Sequence, residues 1–171
     1  MQGTIQIYTG NGKGKTTSAL GLAIRAVGAG KKVFIGQFLK SGKYSEMNSL
    51  RQFPDQVSVE HYGLGKFVKG RPSEEDKIAG KEGYQKIRRI LEKGNHDLVI
   101  IDEGNMAVRY NIISEQSLLD LFEMKPGHVG LIVTGRGATP AVINRADTVI
   151  ELKEVKHYYK KGVKARVGIE K

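Results

Sequence analysis

Short apolar runs alternate with amphipathic stretches along most of the chain. Apolar or alternating runs of strand length lie at residues 4–8, 33–39, 57–61, 98–101, 128–134 and 147–152. Helix-like spacing of apolar residues occupies residues 18–27, 73–92, 114–124 and 139–145. Strands that alternate with helices predict an α/β fold with a mainly parallel sheet flanked by helices. The length of 171 residues favours a single domain over residues 1–171.

The longest predicted helix, residues 73–92, carries signals at both ends. Ser73 is a favourable N-cap, an acidic first turn follows it, and Gly94 stands where the helix should end. Gly80 and Gly83 weaken the prediction for the first half, because glycine disfavours a helix interior. The predicted core positions are Ile78, Ile87, Ile90 and Leu91.

The first strand and the first helix are joined by residues 9–17, with the sequence TGNGKGKTT. Its glycines let the backbone curl so that N–H groups point at an anion, and the helix adds the positive end of its dipole. Lys15 can reach the outer phosphates of a nucleotide, and the Thr16 hydroxyl can bind a phosphate-bound Mg²⁺. Thr9 stands at the leading glycine of the pattern G-x-x-x-x-G-K-[ST], so the match is incomplete. The alternative, a flexible surface turn, is disfavoured by the flanking strand and helix.

Other predicted strands end in polar groups that should meet this loop. In a parallel α/β sheet the segments that follow the strands share one edge. The fourth strand runs into Asp102 and Glu103, and an acid at that place in phosphate-loop proteins binds Mg²⁺. A polar segment, residues 40–46, follows the second strand, and Arg136 follows the fifth. The alternatives are that the acids only cap a turn and that Arg136 is a surface anchor.

Composition narrows the classes of function. The net charge of +10 favours nucleic acid and a polyanionic small molecule alike. No nucleic-acid-binding motif accompanies the charge and tryptophan is absent, so nucleic acid is the less favoured partner. The absence of cysteine excludes disulfides and thiolate chemistry and fits a reducing cytoplasm. No apolar run reaches the roughly 20 residues of a membrane span, and no signal-peptide pattern opens the chain.

Two segments have open interpretations. Residues 62–72 contain three glycines and several apolar groups, and they form either a functional lid or an ordinary connector. Residues 155–171 are basic, with Glu170 as their only acid. This tail is predicted to be an edge hairpin, a basic clamp or a dimer arm.

Taken together, these motifs resemble the phosphate-loop type of ATP:corrinoid (cob(I)alamin) adenosyltransferases. The resemblance covers most of the chain in the order of the family, at residues 10–33, 37–42, 98–108, 125–137 and 146–170. The family loop also lacks the leading glycine, so Thr9 is a family feature. The most specific part is TGRG at 134–137 followed by ADTV and VKH…GVKA..GIE.

The resemblance implies transfer of the 5′-deoxyadenosyl group of ATP to the Co(I) of a corrinoid, which is cobalamin or a precursor. Triphosphate would leave, and the reaction would serve adenosylcobalamin biosynthesis or salvage. Cobalt is the nucleophile, so no general base is required, which agrees with a sequence that shows no catalytic triad. The implied cofactor is Mg²⁺, with Mn²⁺ as the alternative. The implied partners are an electron-donating flavoprotein and a second copy of the chain, in the cytoplasm.

The resemblance also assigns residues. The expected metal ligands are Thr16, Asp102 and Glu103, and the expected catalytic residues are Lys15, Thr16, Glu103 and Phe67. Phe67 corresponds to the first member of a Phe-x-Trp pair with which the family displaces the lower axial ligand of cobalt, and Val68 or Lys69 stands at the second aromatic position. The expected nucleotide-binding residues are Gly10, Asn11, Gly12, Lys13, Gly14, Lys15, Thr16, Thr17, Arg25, Gln37, Lys40 and Arg136.

Two other functions stay open at this level. A phosphate-loop ATPase that acts on nucleic acid would account for Asp102, Glu103 and the basic charge, but it has no need of the C-terminal motifs. A non-catalytic module would bind corrinoid or nucleotide without turnover.

Overall fold

The fold is known from a computed structural model that describes residues 2–40, 44–64 and 70–170. Within these residues six strands form one sheet in the order β3-β2-β4-β5-β1-β6, and each adjacent pair is parallel. This confirms the predicted parallel α/β fold. The strands are β1 Ile5–Thr9, β2 Val33–Phe38, β3 Val57–Tyr62, β4 Leu98–Asp102, β5 Gly130–Thr134 and β6 Thr148–Glu151.

Helices cover both faces of the sheet, as βαβ crossovers require. The predicted helices are confirmed to within three residues at each end, while the short helices α2 and α4 were not predicted. The helices are α1 Lys15–Gly28, α2 Glu46–Leu50, α3 Glu74–Lys93, α4 Gly104–Arg109, α5 Glu115–Met124 and α6 Pro140–Arg145, followed by a single 3₁₀ turn, Tyr158–Lys161. None of the helices in the described part of the chain is long and apolar enough to cross a membrane.

Two hydrophobic layers enclose the sheet. On one face α1 and α2 bury their apolar side chains against residues such as Val33, Ile35 and Ile100. On the other face α3, α4, α5 and α6 pack against residues such as Phe34 and Ile101. The alternation of neighbours such as Phe34 and Ile35 between the two layers is the period of two that a strand imposes. The near-continuous apolar strands of the sequence follow from this burial on both sides.

The core assignment for α3 is partly wrong. Ile87 and Leu91 are fully buried and Ile90 packs at the edge of the core, as predicted. Ile78 is 59% exposed, so it is not a core residue. The first half of the helix packs through Gly80 and Gly83 on its inner face rather than through large side chains.

The two glycines inside α3 explain that difference. A Cβ at Gly80 would lie 1.9 Å from Cγ2 of Ile112, and a Cβ at Gly83 would lie 2.4 Å from the ring of Tyr62. Both positions are helical and buried, so glycine is present for close packing rather than as a helix breaker. The sequence pattern reports the low helix propensity of glycine but not the neighbour that requires it.

The strand order determines where polar groups gather. Because every strand is parallel, the residues at the ends of β1, β2, β4 and β5 meet at the carboxyl edge of the sheet. β5 separates β1 from β4, so Thr134 at the end of β5 lies between the phosphate loop and Asp102. The tail after β6 forms the 3₁₀ turn and further turns, and no strand occurs in its described part, so the predicted edge hairpin is wrong.

Candidate active site

The loop after β1 has the backbone that its glycines predict. Gly10 and Gly14 have φ of +93° and +111°, in the left-handed region that favours glycine. A Cβ at Gly12 would lie 2.7 Å from the carbonyl oxygen of Leu152. The Gly12 N–H donates to that same carbonyl at 2.7 Å, so this N–H anchors the loop to the segment after β6. The loop is therefore anchored to the segment after β6 by a backbone hydrogen bond and by close packing.

Lys15 lies beneath the loop and is only 8% exposed. Its ammonium donates to the carbonyl oxygens of Gly10 and Gly12 at 2.8 and 2.7 Å. Burial lowers the pKa of Lys15, and the positive charge of Arg136 lowers it further. Lys15 thus holds the loop closed on itself and carries a cation at the floor of the turn.

The start of α1 leaves backbone donors at the same place. The hydrogen-bond ladder of this helix begins with the Ser18 N–H, which donates to the Gly14 carbonyl at 2.8 Å. The N–H groups of the first three residues, Lys15–Thr17, precede that ladder and have no acceptor within the helix. Together with the dipole of a 14-residue helix, they form a site suited to an anion.

Asp102, at the end of β4, is fully buried and accepts four side-chain hydrogen bonds. Its Oδ1 accepts from the hydroxyls of Thr16 at 2.9 Å and Thr134 at 2.7 Å. Its Oδ2 accepts from Gln37 Nε2 at 2.9 Å and from Lys40 Nζ at 2.6 Å. The carboxylate therefore joins the ends of β2, β4 and β5 to the start of α1.

The charges of this cluster are matched. Burial alone would raise the pKa of Asp102, but the ammonium of Lys40 and the hydroxyl donors keep it below its ordinary value. Burial would likewise lower the pKa of Lys40, but attraction to Asp102 raises it. The side chains of Lys40 and Asp102 are 13% and 1% exposed, so this is a buried ion pair.

Glu103 differs from its neighbour in backbone conformation, in hydrogen bonding and in the direction of its pKa shift. It has a φ of +57°, and its N–H donates to Thr134 Oγ1 at 3.0 Å, which turns the chain from β4 into α4. Its carboxylate faces the cavity and accepts no hydrogen bond from another described residue. Burial, followed by the negative charge of Asp102, raises the pKa of Glu103. One of the two predicted acids is thus saturated with donors, while the other faces the cavity.

A cavity of about 890 Å³ opens above these groups. Its size is in the range of small-molecule sites, and its walls combine loop, helix and tail. The lining residues are 12–17 of the loop and the start of α1, Leu20, Gly21 and Ile24 of α1, Lys40, Tyr44, Ser45, Glu46 and Ser49, Glu103 and Arg136, and His157, Gly168, Ile169 and Glu170 of the tail.

The structure brings most of the predicted residues to this cavity, but not all. Gln37 and Asp102 lie beneath it and act on it only through Lys40 and Thr16. Phe67 lies outside the described residues. Two predicted nucleotide-binding residues, Asn11 and Arg25, are exposed and do not line the cavity. A third, Gly10, contributes only its carbonyl, which accepts from Lys15.

Sequence reasoning missed the contribution of the tail. His157, Ile169 and Glu170 line the cavity, and Lys13 Nζ lies 2.8 Å from the Glu170 carboxylate. These contacts agree with a clamp, and the dimer arm stays a prediction. The sequence does contain one signal, which is Glu170, because a single acid in a basic segment indicates an ion pair with a nearby cation.

The whole chain matches one protein family. Residues 1–170 match the family described as ATP:corrinoid adenosyltransferase BtuR/CobO/CobP. The chain belongs to this family. The resemblance noted from the motifs is therefore confirmed over the full length of the chain.

Individual relatives of this adenosyltransferase family agree. Proteins named corrinoid adenosyltransferase from Pseudomonas aeruginosa and Escherichia coli strain K12 are 35% and 38% identical to the chain. In both cases the match covers 99% of this chain, with 84% and 86% of the relative. A protein of Salmonella typhimurium named corrinoid adenosyltransferase CobA is also 38% identical, over 99% of this chain and 86% of its own. These names do not favour the alternative of an ATPase that acts on nucleic acid.

The fold also occurs in a more distant protein. The crystal structure of a KaiC-like protein from Pyrococcus horikoshii OT3 superposes with a TM-score of 0.61. It covers 89% of this chain and 73% of its own, at 21% identity, so the likeness concerns the fold alone.

Proposed function

We propose that this chain transfers the 5′-deoxyadenosyl group of ATP to the cobalt of a reduced corrinoid and releases triphosphate. One observation carries the proposal: an anion site built by Lys15, Thr16 and α1 opens into a large cavity, in a chain that belongs to the corrinoid adenosyltransferases. We further propose that residues 1–171 act as one transferase unit.

The reaction needs position and charge rather than an acid or a base. The Co(I) of the corrinoid supplies the electron pair that forms the bond to carbon 5′ of the ribose. The bond between carbon 5′ and its oxygen breaks, and that electron pair leaves with the triphosphate. No proton moves, so a site without a base-activated nucleophile is sufficient. The work of the protein is to orient the chain of phosphates and stabilise the charge that grows on it.

The loop supplies that stabilisation. The unpaired N–H groups at the start of α1 can donate to phosphate oxygens, and Lys15 can exchange the carbonyl groups of the loop for a phosphate. Arg136 lies on the same cavity wall and adds a second cation near Lys15. A buried cation and several fixed donors are worth most where water is excluded.

The residues beside the loop fit a magnesium ion. Within the described residues no three His, Asp or Glu side chains cluster as a protein-only metal site, so the phosphates would supply further ligands. Oδ1 of Asp102 lies 2.9 Å from the Thr16 hydroxyl, and its Oδ2 already holds a cation, the ammonium of Lys40. We propose that Thr16 and Glu103, which line the cavity, would hold Mg²⁺, and that Asp102 would act on the ion through the Thr16 hydroxyl. When bound, the ion neutralises charge on the leaving triphosphate.

Several other parts of the proposal rest on the family rather than on the geometry. We propose that Phe67 faces the corrin ring, that a flavoprotein reduces the corrinoid, and that the chain works as a homodimer in the cytoplasm. Gln37 supports the site through its hydrogen bond to Asp102, and Asn11 and Arg25 would have to approach the nucleotide from the exposed surface.

The decisive experiment supplies ATP, Mg²⁺ and chemically reduced cobalamin, and follows the absorption spectrum while the phosphate product is identified. A light-sensitive adenosylated product together with triphosphate is the expected result. Release of orthophosphate in the absence of corrinoid would contradict the proposal and would favour an ATPase. Binding of ATP and corrinoid without any product would favour a non-catalytic module.

A further inference from the structure

The tail of the chain forms one wall of the nucleotide cavity. After the 3₁₀ turn Tyr158–Lys161 the chain returns across the phosphate loop and ends the described part at residue 170. Gly168, Ile169 and Glu170 line the cavity together with residues of α1. An acid therefore faces the place where the proposed function requires a polyanion.

Glu170 is the centre of the contacts that hold this wall. Its carboxylate accepts from Lys13 Nζ at 2.8 Å, from the Arg166 N–H at 2.8 Å and from Arg166 Nη2 at 3.0 Å, and it also accepts from the Tyr158 hydroxyl. The side chain is only 14% exposed. Arg166, Lys13 and Tyr158 hold the pKa of Glu170 well below its ordinary value, so the carboxylate is ionised at physiological pH.

Lys13 connects this carboxylate to the phosphate loop. It lies between Gly12 and Gly14 and lines the cavity, yet its ammonium donates to Glu170 and, at 2.7 Å, to the Tyr158 hydroxyl. The ammonium also lies 5.4 Å from the centre of the Tyr158 ring, within range of a cation–π contact. A cation of the phosphate loop is thus neutralised by the tail, in contrast to Lys15, whose acceptors are neutral carbonyl groups.

We propose that Glu170 is a further positioning residue of the site, which limits the affinity for triphosphate by competing with phosphate oxygens for Lys13. The inference rests on the proposed function, because it assumes that the loop binds a chain of phosphates. Such a competitor has a use in this reaction. Triphosphate leaves with one more ionisable oxygen than it has as part of ATP, so the product should bind the loop more tightly than the substrate does. A carboxylate that takes Lys13 back favours release of the product.

The test measures binding of inorganic tripolyphosphate by calorimetry, without corrinoid, to the full chain and to Glu170→Gln. Glutamine keeps the size of the side chain and removes the charge. Because an ion pair that is partly open to solvent is worth at most a few-fold in an equilibrium constant, we expect the affinity to rise about two- to fivefold. The gain should shrink as salt concentration rises. If Glu170 only held the tail in place, its loss would disturb the cavity and lower the affinity for tripolyphosphate. A rise in affinity therefore distinguishes competition for Lys13 from a purely structural role.

Two further variants test whether Glu170 acts through Lys13. In a Lys13→Gln background, Glu170→Gln should leave the affinity unchanged, because the cation for which it competes is gone. Tyr158→Phe removes the hydroxyl that contacts both Lys13 and Glu170, so it should raise the affinity for tripolyphosphate by a smaller factor. This variant provides the test if Glu170→Gln does not fold. The matched control is Glu92→Gln, which neutralises an exposed acid paired with Arg88 on α3 and should leave the affinity unchanged.

The inference is wrong if Glu170→Gln and the unaltered chain bind tripolyphosphate equally, or if the gain persists in full without Lys13. These outcomes are independent of the proposed function. A chain that binds tripolyphosphate but does not adenosylate reduced cobalamin contradicts the function, whereas a chain that adenosylates cobalamin while Glu170→Gln binds normally contradicts only the role of Glu170.

Discussion

Two lysine–carboxylate pairs border one cavity, to which Lys40 of the first pair and both members of the second contribute, and the pairs differ in burial. Lys40 and Asp102 are 2.6 Å apart, with 13% and 1% of their side chains exposed. Lys13 and Glu170 are 2.8 Å apart, with 41% and 14% exposed. The two distances are similar, so the separation of the charges does not distinguish the pairs. The surroundings do, because the loss of one partner leaves an uncompensated charge, which is costly where water is excluded.

The inner pair, Lys40–Asp102, is also built into the fold, while the outer pair, Lys13–Glu170, joins a loop to a tail. Asp102 is held by residues from β2, β5 and α1, so it cannot move without disturbing the sheet edge. Glu170 is held by Arg166 and Tyr158, which belong to the same short segment. The inner pair should therefore act as fixed architecture, and the outer pair should exchange with a ligand.

The largest expected effect comes from breaking the inner pair. In Asp102→Asn the amide group would place an N–H donor against the donors of Gln37 or Lys40 and would leave the Lys40 cation buried without its partner. Removal of one member of a buried pair typically lowers the unfolding free energy by about 3–5 kcal/mol. Chemical denaturation followed by circular dichroism measures this loss.

The matched control for that variant is Glu170→Gln in the outer pair. We expect its denaturation midpoint to fall by much less than that of Asp102→Asn, because a partly exposed pair typically contributes only about 0–1 kcal/mol. Equal losses in the two variants would remove the distinction between fixed and exchangeable pairs.

Lys15→Ala should affect catalysis more than stability. The ammonium of Lys15 donates to Gly10 and Gly12 at the floor of the loop, where it stabilises any charge that develops on bound phosphate. Loss of one such preorganised donor typically lowers kcat by about 10²- to 10³-fold. The measurement is adenosylcobalamin formation under saturating ATP, beside a native-like circular dichroism spectrum. Lys31→Ala, which changes an exposed lysine paired with Asp97, is the control, and near-normal turnover in Lys15→Ala would contradict the phosphate role.

The loop and the acid around the inner pair were largely predictable from the sequence, and the contacts of the outer pair were not. The glycines, Lys15 and Thr16 follow each other in one loop, and Asp102 ends an apolar strand, so local pattern and the rule for parallel sheets place them together. That Lys40 pairs with Asp102 depends on β2 lying beside β4, which the pattern of strands does not specify. The side-chain partners of the predicted residues therefore had to come from the structure.

The tail illustrates what a pattern cannot report. Lys13 and Glu170 are 157 positions apart, and nothing periodic connects them. Ile78 shows the same limit within one helix, since its exposure depends on which face of α3 meets the sheet and on Gly80 and Gly83, which replace large side chains there. Contacts between distant segments decide both cases, whereas elements and loops follow from neighbouring residues.

Salt should separate the two pairs with a smaller effect. At about 0.5 M NaCl the Debye length falls to roughly 4 Å, so an exposed pair is screened while a buried one is largely protected. The coupling between Lys13→Gln and Glu170→Gln in thermal unfolding should vanish on going from low salt to that concentration. The coupling between Lys40→Met and Asp102→Asn should persist. If salt weakened both coupling energies equally, the inner and outer pairs would not differ in their access to solvent.

The smallest expected effect concerns pH and a histidine on the strand beside the inner pair. His61 of β3 lies opposite Gln37 of β2, and burial, followed by the charges of Arg51 and Lys40, lowers its pKa below the ordinary value. The unfolded chain then binds more protons than the folded one near and below pH 6.5, so His61 contributes stability that is present above about pH 6.5 and is lost as the pH falls through the lower folded pKa. The pKa of Glu170 is far too low for the outer pair to titrate in this range. Melting temperatures between pH 7.5 and 5.5 should therefore decline less steeply in His61→Gln than in the unaltered chain. An equal slope in His61→Gln and the unaltered chain would show that His61 does not contribute to the pH dependence.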